Sequence, residues 1–340
     1  MVNAAIIGAT GYTGGELLRL LLQHPDVHVT AATSRQMQGK PVHQAHPNLR
    51  GATDLRFGDR DALGDADVVF TCTPHGTAQQ LVPTLLDAGH RVIDLSADFR
   101  LTADGYERWY GSHACPAWLD EAVYGLAEHS RHMLPGARLV SGVGCFATSM
   151  NLALKPLADA GLLANATVVV DGKIGSSAAG LDTHPAGMHA ARSRSLRLYA
   201  PTSHRHAGEV ERVHGVTPRV SVHAAELVRG ILATCHVLVD EVPEEKALWK
   251  AYRASTQDEP FLRVVKERAG VHRGPDPKLV AGSNFADLGF HVDESGSRIV
   301  ATCAIDNLVK GAAGSAVQAM NVVFGMDETL GLTQLPVHPQ

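Results

Sequence analysis

The chain predicts an α/β protein of two domains: a doubly wound, parallel sheet at the N-terminus, then an α+β domain built on a mixed sheet. Three observations predict this. Up to about residue 95, short apolar runs alternate with leucine-rich helical segments, the signature of βαβ units. Beyond Thr167 the apolar runs lengthen and several alternate in polarity, as half-buried strands do. A chain of 340 residues can also bury two separate cores.

In the first domain, residues 4–7 predict a strand, 8–14 a glycine turn and 16–23 a leucine-rich helix. Residues 27–32, 68–71 and 92–95 predict further strands. Residues 146–160 read as a helix, with Leu152, Leu154 and Leu157 in its apolar run. In the second domain, 168–170, 219–224, 231–239 and 299–305 predict strands of a mixed or antiparallel sheet. Residues 312–324 read as a helix that returns to the first domain. The expected domains are therefore 1–148 with 312–340, and 149–311. The Gly- and Pro-containing loops at 172–187 and 270–283 read as functional loops rather than linkers.

Composition narrows the function classes. Hydrophobic residues make up 45% and charged residues 19%, ordinary values for a soluble globular protein. A net charge of −5 and a pI near 6.4 argue against a broad nucleic-acid surface. No apolar run approaches the ~18 residues that would span a bilayer. The N-terminus enters its first strand with no basic segment before it, which argues against a signal peptide. Five cysteines without a Cys-x-x-Cys pair fit a reducing, cytoplasmic compartment and predict no structural zinc or other metal. The nineteen histidines are scattered, and most read as surface residues.

Gly8, Gly11 and Gly14 follow a strand and open a helix. The first permits a tight turn, the second lets the backbone approach a pyrophosphate, and the third lets the helix pack closely with its N-terminus toward the phosphates. This predicts a Rossmann-type dinucleotide site, with Thr10, Tyr12 and Thr13 in the same turn as candidate contacts. The second strand ends in Thr33-Ser34-Arg35, where NAD sites carry Asp or Glu. A guanidinium and two hydroxyls suit a 2′-phosphate, so NADP is the expected cofactor.

Cys145 lies in Ser141-Gly-Val-Gly-Cys-Phe-Ala-Thr-Ser149, with glycines before it and a helical run after it. The thiol is thus expected at a helix N-terminus, where unpaired N–H groups and the dipole favour thiolate. A thiolate there is a candidate nucleophile. Cys72, Cys115, Cys235 and Cys303 lie mostly in apolar, strand-like runs and read as small core residues. Residues 191–209 gather Arg192, Arg194, Arg197, Arg205, His204 and His206. A near-neutral imidazole can move the thiol proton, and clustered arginines suit carboxylates and phosphates.

Together these segments resemble the N-acetyl-γ-glutamyl-phosphate reductase family. The resemblance rests on Gly8-Ala-Thr-Gly-Tyr-Thr-Gly-Gly-Glu16, Pro74-His-Gly76, Leu95-Ser-Ala-Asp-Phe-Arg100, Gly144-Cys-Phe-Ala-Thr148, His204-Arg-His206 and Ile305-Asp-Asn-Leu-Val-Lys-Gly-Ala-Ala-Gly314. It implies that Cys145 attacks an acyl phosphate, that NADPH reduces the resulting thioester to an aldehyde, and that a histidine of His204-Arg-His206 is the acid/base. His206 is the first choice and His204 the second. It also implies that Pro74, Ser96, Ser176 and Asn307 line the cofactor site.

Within the family, Gly39-Lys-Pro-Val-His43, His46-Pro-Asn-Leu-Arg-Gly51, residues 193–206, Arg229-Gly-Ile-Leu232, Gly270-Val-His-Arg273 and Pro275-Asp-Pro277 are similar to the amino-group-carrier-protein (LysW-type) branch. That branch implies an α-aminoadipyl 6-phosphate or glutamyl phosphate held on a small acidic carrier, in lysine or ornithine biosynthesis. It makes Arg100, Arg192, Arg194, Arg197, His204 and Arg205 candidates for contacting substrate or carrier. Phe146 stands where many arginine-pathway members have tyrosine and carrier-type relatives often have asparagine. The resemblance further implies a homo-oligomer, dimer or tetramer, that binds neither nucleic acid nor membrane. Other readings are an arginine-pathway reductase of free N-acetylglutamyl phosphate, an enzyme like aspartate-semialdehyde dehydrogenase, and a catalytically silent NADP-binding regulator.

Overall fold

The computed structural model describes residues 1–181, 183–294 and 296–338. Residue 182 of the expected functional loop, and residues 339–340 of the expected first-domain tail, lie outside the described residues. The chain forms two compact units, residues 1–143 with 312–333, and 144–311 with the described residues from Gln334 on.

The first unit holds one parallel seven-stranded sheet. Its strands are β1 (Val2–Ile7), β2 (Val27–Thr33), β3 (Phe57–Gly58), β4 (Val68–Thr71), β5 (Arg91–Asp94), β6 (Val123–Tyr124) and β7 (Leu139–Ser141), in the order β3-β2-β1-β4-β5-β7-β6. Between them run α1 (Tyr12–Leu21), α2 (Ala78–Asp87), α3 (Ala103–Tyr110) and α4 (Ala127–Ser130). The central strands are apolar throughout because both faces are covered: every residue of β4 is buried. Ala5, Ile7, Val69 and Val92 pack with Val82, Leu85 and Leu86 of α2 and with Phe99. Strand order reverses between β1 and β4, so a crevice opens at their C-terminal ends, the ligand position of doubly wound sheets.

The second unit has a mixed sheet in the order β12-β13-β14-β11-β8-β10-β9. Its strands are β8 (Thr167–Ile174), β9 (Arg197–Ala200), β10 (Arg219–Ala224), β11 (Ile231–Leu238), β12 (Leu262–Val264), β13 (Ala286–Val292) and β14 (Arg298–Ile305). Only β8–β10 and β12–β13 pair in parallel. Its helices are α5 (Cys145–Asp159), α6 (His189–Arg192), α7 (Ala207–His214) and α8 (Glu245–Thr256). α5 lies across β11 and β14, with α7 and α8 against it. Period-two burial follows: Val168, Val170 and Ile174 of β8 are buried, while Asp171 and Lys173 face outward, where Asp171 pairs with Lys173 and with His223 of β10. The chain then enters α9 (Gly314–Val323), which belongs to the first unit and packs on α1 and α4. Among the described residues no helix is long and apolar enough to cross a membrane.

Several boundaries differ from the sequence expectation. The first unit ends at Val143 rather than 148, because α5 takes its core from β11 and β14. The tail from Gln334 clusters with the second unit, and His338 meets His272 there edge to face. α1 begins at Tyr12, four residues early, because Gly14 and Gly15 sit inside the helix where larger residues would strike neighbours. The last helix starts at Gly314 because 309–313 form a π turn. Cys235 and Cys303 are core residues in strands, but Cys115 lies in a loop, its thiol on the Gln79 carbonyl. Most histidines are exposed or half-buried, as expected; His24, His46 and His206 are buried.

Candidate active site

The crevice in the first unit is built by backbone. Gly8 sits at φ +80°, and a Cβ there would lie 2.5 Å from the Cys72 carbonyl that follows β4. A Cβ on Gly14 would come 2.7 Å from the Ala9 Cα, so the third glycine is needed for helix-to-turn contact. A Cβ on Gly11 would meet nothing within 4 Å. The middle glycine therefore faces open space. α1 starts just after Gly11 with no side-chain cap, which leaves its first N–H groups available to an anion. These residues fit a dinucleotide pyrophosphate. Thr10, Gly11 and Thr13 are half-buried and Tyr12 is exposed.

The end of β2 divides its side chains. Thr33 is buried and its carbonyl accepts the Ala9 N–H at 3.0 Å. Ser34 is buried and its hydroxyl accepts the Met37 N–H at 3.2 Å. Arg35 is exposed. After β4, Pro74 is exposed, and its loop is held from below by a residue that sequence reasoning did not single out. The Asp98 carboxylate accepts the N–H groups of Gly76 at 2.7 Å, Ala78 at 3.0 Å and Gln79 at 3.3 Å, and the Tyr106 hydroxyl at 3.1 Å. Only the 22-residue separation hid it; its motif was in view.

Two residues expected at ligands are placed inside the protein. Ser96 is buried and donates to Asp94 at 2.6 Å. Burial raises the Asp94 carboxyl to about 6, against the pull of its bonds to Ser96 and Thr71. Arg100 is also buried, and its guanidinium donates to the carbonyls of Gly142 at 2.8 Å and Leu95 at 2.9 Å. It braces the strand end three residues before Cys145.

In the second unit, Cys145 is the first residue of α5, capped only by the backbone of Gly144. The Gly144 N–H donates to the buried carboxylate of Glu209 on α7 at 2.9 Å. Glu209 is a second residue that the sequence did not reveal, since 65 positions separate the pair. A Cβ on Gly311 would lie 2.8 Å from the Cys145 Cβ, so the π turn presses bare backbone against Cys145. Phe146 is fully buried beneath Gly172 of β8, and its ring meets His204 edge-on at 5.6 Å.

His204 and His206 lie ring to ring at 4.6 Å, nearly perpendicular. The His206 N–H donates to His204 Nδ1 at 3.2 Å, so the hydrogen of His204 sits on Nε2. Burial first, and Arg205 second, push the His204 imidazole down to about 4. It is neutral at physiological pH and can donate only through Nε2. His206 is buried and leads into α7. Tyr199 lies 6.5 Å from His204, ring to ring. Its hydroxyl is raised to about 12, by burial and then by the charge of Cys145.

The arginines part company. Arg192 donates to the Ile174 carbonyl at 2.7 Å, and Arg197 to the Ala186 carbonyl at 3.2 Å. Burial and the neighbouring Arg197 lower the Arg192 pKa. Arg194, at φ +57°, and Arg205 are exposed. Asn307 is buried; its carboxamide accepts the Gly230 N–H at 2.7 Å and donates to the Ser177 hydroxyl at 2.9 Å. It clamps two loops. Ser176 is half-buried beside that clamp, its N–H on the Leu227 carbonyl.

Two family models match the chain: "Semialdehyde dehydrogenase, NAD binding domain" over residues 3–137, and "Semialdehyde dehydrogenase, dimerisation domain" over 145–307. The chain belongs to the semialdehyde dehydrogenase family. Among curated members, a protein of Natronomonas pharaonis named LysW-L-2-aminoadipate/LysW-L-glutamate phosphate reductase is 47% identical, over 99% of this chain and 98% of its own. A LysW-L-2-aminoadipate 6-phosphate reductase of Thermomicrobium roseum is 48% identical over the whole of this chain and 99% of its own. This semialdehyde dehydrogenase therefore stands on the branch of the carrier-linked phosphate reductases. Of solved structures, aspartate semialdehyde dehydrogenase II of Vibrio cholerae shares the fold, with a TM-score of 0.72 at 16% identity over 95% of this chain and 98% of that one. The Candida albicans enzyme, solved with NADP, has a TM-score of 0.68 at 13% identity over 95% and 98%.

Gly311→Ala tests the approach to Cys145. The added methyl should displace the thiol and lower turnover at least ~10-fold, as misplaced reacting groups do. Dinucleotide affinity, measured by fluorescence titration, should stay within about twofold of the unsubstituted protein.

Proposed function

We propose that this enzyme reduces a carrier-bound α-aminoadipyl 6-phosphate, or glutamyl phosphate, to the semialdehyde through a Cys145 thioester, with NADPH as reductant. The observation that carries the reading is Cys145 at the first turn of a 15-residue helix, where the next residue, Phe146, packs edge-on against His204 of a histidine pair. The names of the relatives support the substrate class.

The Cys145 thiolate attacks the acyl carbonyl and forms a C–S bond. The tetrahedral oxyanion is stabilised by N–H groups of the first turn of α5, which have no acceptor within the helix. The C–O bond to phosphate breaks and phosphate departs. Bound NADPH supplies the hydride that reduces the thioester. His206 protonates the former carbonyl oxygen and takes that proton back as the C–S bond of the thiohemiacetal breaks, which frees the aldehyde and restores the thiolate. Burial, and then Arg205, disfavour a proton on His204, which supports His206 in that role and His204 as an Nε2–H donor. The glycine turn at Gly8, Gly11 and Gly14 holds the pyrophosphate, and exposed Arg35 meets the 2′-phosphate.

The segment from Met188 to Arg205 supports a docking role for the acidic carrier. It exposes Leu196 and Leu198 along with Arg194 and Arg205, an apolar and cationic surface suited to an acidic partner. The second sheet carries helices on one face and half-exposed side chains on the other, and this supports pairing with a second copy as a dimer or tetramer. Reduced thiols at all five cysteines fit the cytoplasm.

Cys145→Ser should lower turnover by at least about 10³-fold while NADPH still binds. His206→Asn should lower it by about 10²–10⁴-fold, and His204→Asn by less. A larger loss at His204 in steady-state assays would reverse the two roles.

Arg35→Asp should raise the KM for NADPH by at least ~10-fold and leave that for NADH within about twofold. Equal effects would remove Arg35 from the 2′-phosphate site.

The substrate is tested in reverse, with phosphate and NADP. Carrier-linked aminoadipate semialdehyde should turn over faster than free N-acetylglutamate semialdehyde. The opposite order would make this an arginine-pathway reductase and leave the arginine segment a solvated loop.

A further inference from the structure

The glycine turn is held in shape by a side chain 37 positions away. His46 is 8% exposed and its Nε2 lies 2.7 Å from the Ala9 carbonyl oxygen. A carbonyl only accepts, so Nε2 carries the hydrogen and donates. The ring lies flat against Gly15, where any Cβ would strike it, and meets Phe57 edge-on at 6.5 Å. The same Ala9 residue gives its N–H to the Thr33 carbonyl at 3.0 Å. Both peptide groups of Ala9 are therefore fixed, one by the end of β2 and the other by His46.

This matters for the chemistry of the turn. The Ala9 carbonyl lies between Gly8 and the first residues of α1, and a Cβ on Gly14 would sit 2.9 Å from it. A carbonyl oxygen free to rotate toward the helix start would set negative charge against the phosphates that the N–H groups attract. We propose that His46 is a positioning residue of the dinucleotide site: its Nε2–H pins the Ala9 carbonyl away from the anion and holds the N–H groups of the turn ready for the pyrophosphate. His46 begins the segment His46-Pro-Asn-Leu-Arg-Gly51, and a short turn at Pro47–Leu49 anchors it, with the Leu49 N–H on the His46 carbonyl at 2.9 Å.

The inference rests on the reading of the glycine turn as a dinucleotide site and separates from it in the test. NADPH and NADH binding are measured by fluorescence titration without substrate, together with melting temperature and the rate of Cys145 alkylation by iodoacetamide. His46→Phe keeps the ring and removes the donor. It should raise the dissociation constants of both nucleotides about tenfold, alike, because both carry the pyrophosphate; losing one buried hydrogen bond is of this order. KM should rise with kcat nearly unchanged, and alkylation of Cys145 without nucleotide should not move. His46→Gln, whose Nε2 reaches a similar position, should restore affinity to within about threefold. If His46→Phe does not fold, His46→Asn, whose carboxamide is one bond too short, takes its place against His46→Gln. Unchanged affinity in the donor-less variant would overturn the proposal. So would a loss confined to NADPH, or equal losses in the Gln variant. Absence of binding to the unsubstituted protein would overturn the cofactor reading itself.

Discussion

The reactive end of the second unit depends on how closely Gly311 approaches Cys145. No side chain fits between them. The turn that carries Gly311 is held by the residue before Asn307: the Asp306 carbonyl accepts the Gly311 N–H at 2.9 Å, the long reach that makes this turn a π turn. The Asp306 side chain is fully buried and accepts the N–H groups of Gly282 at 2.7 Å and Leu308 at 2.8 Å, and the Arg229 guanidinium at 3.2 Å. Asn307 beside it binds Gly230 and Ser177. Two adjacent buried polar residues thus collect four loop segments around the turn that meets Cys145. Loops of this kind have no regular hydrogen bonding of their own, and their buried N–H groups need such acceptors.

Charge around the helix start is finely divided. The α5 N-terminus favours an anion by roughly 0.3–1 kcal/mol, more when partly buried. Glu209 already uses that advantage through the Gly144 N–H. A thiolate and a substrate phosphate add further negative charge nearby, and like charges at about 4 Å repel by roughly 4 kcal/mol at an intermediate dielectric. The helix dipole alone cannot offset this. Under the proposed function the balance falls to the cations of the 192–205 segment, and keeping His204 neutral costs nothing there because its burial already excludes a proton.

What was legible in the sequence follows from distance along the chain. Gly8, Gly11 and Gly14 declare a local turn, and Cys145 declares a helix start, because glycine spacing and apolar periodicity act over a few residues. Direction of a side chain is not local. Arg100, Ser96 and Asn307 stand in recognisable motifs, yet each turns inward to hold backbone. Asp98, Glu209 and His46 hold backbone 22, 65 and 37 positions away, and nothing in their neighbourhoods announces the partner. The domain boundary moved for the same reason: α5 follows a strand of the first sheet in sequence but fills the core of the second.

Phe146 bears on where substrate choice resides. It follows the nucleophile directly, so a polar residue there would be the simplest device for reading a substrate. Here the position is fully buried, pressed beneath Gly172 and against the edge of His204. A polar side chain in that space would need a buried partner, and without one would cost about 1–3 kcal/mol. The phenyl ring instead spends the position on packing: it fixes His204, and through the His206 N–H it fixes the start of α7. Under the proposed function, discrimination between a carrier-linked and a small free acyl phosphate falls to groups that reach solvent, among them Tyr199, Arg194, Arg205 and the exposed Leu196 and Leu198. A substrate recognised chiefly through the protein that carries it places its selectivity on that outer surface and leaves the residue next to the nucleophile free to be apolar.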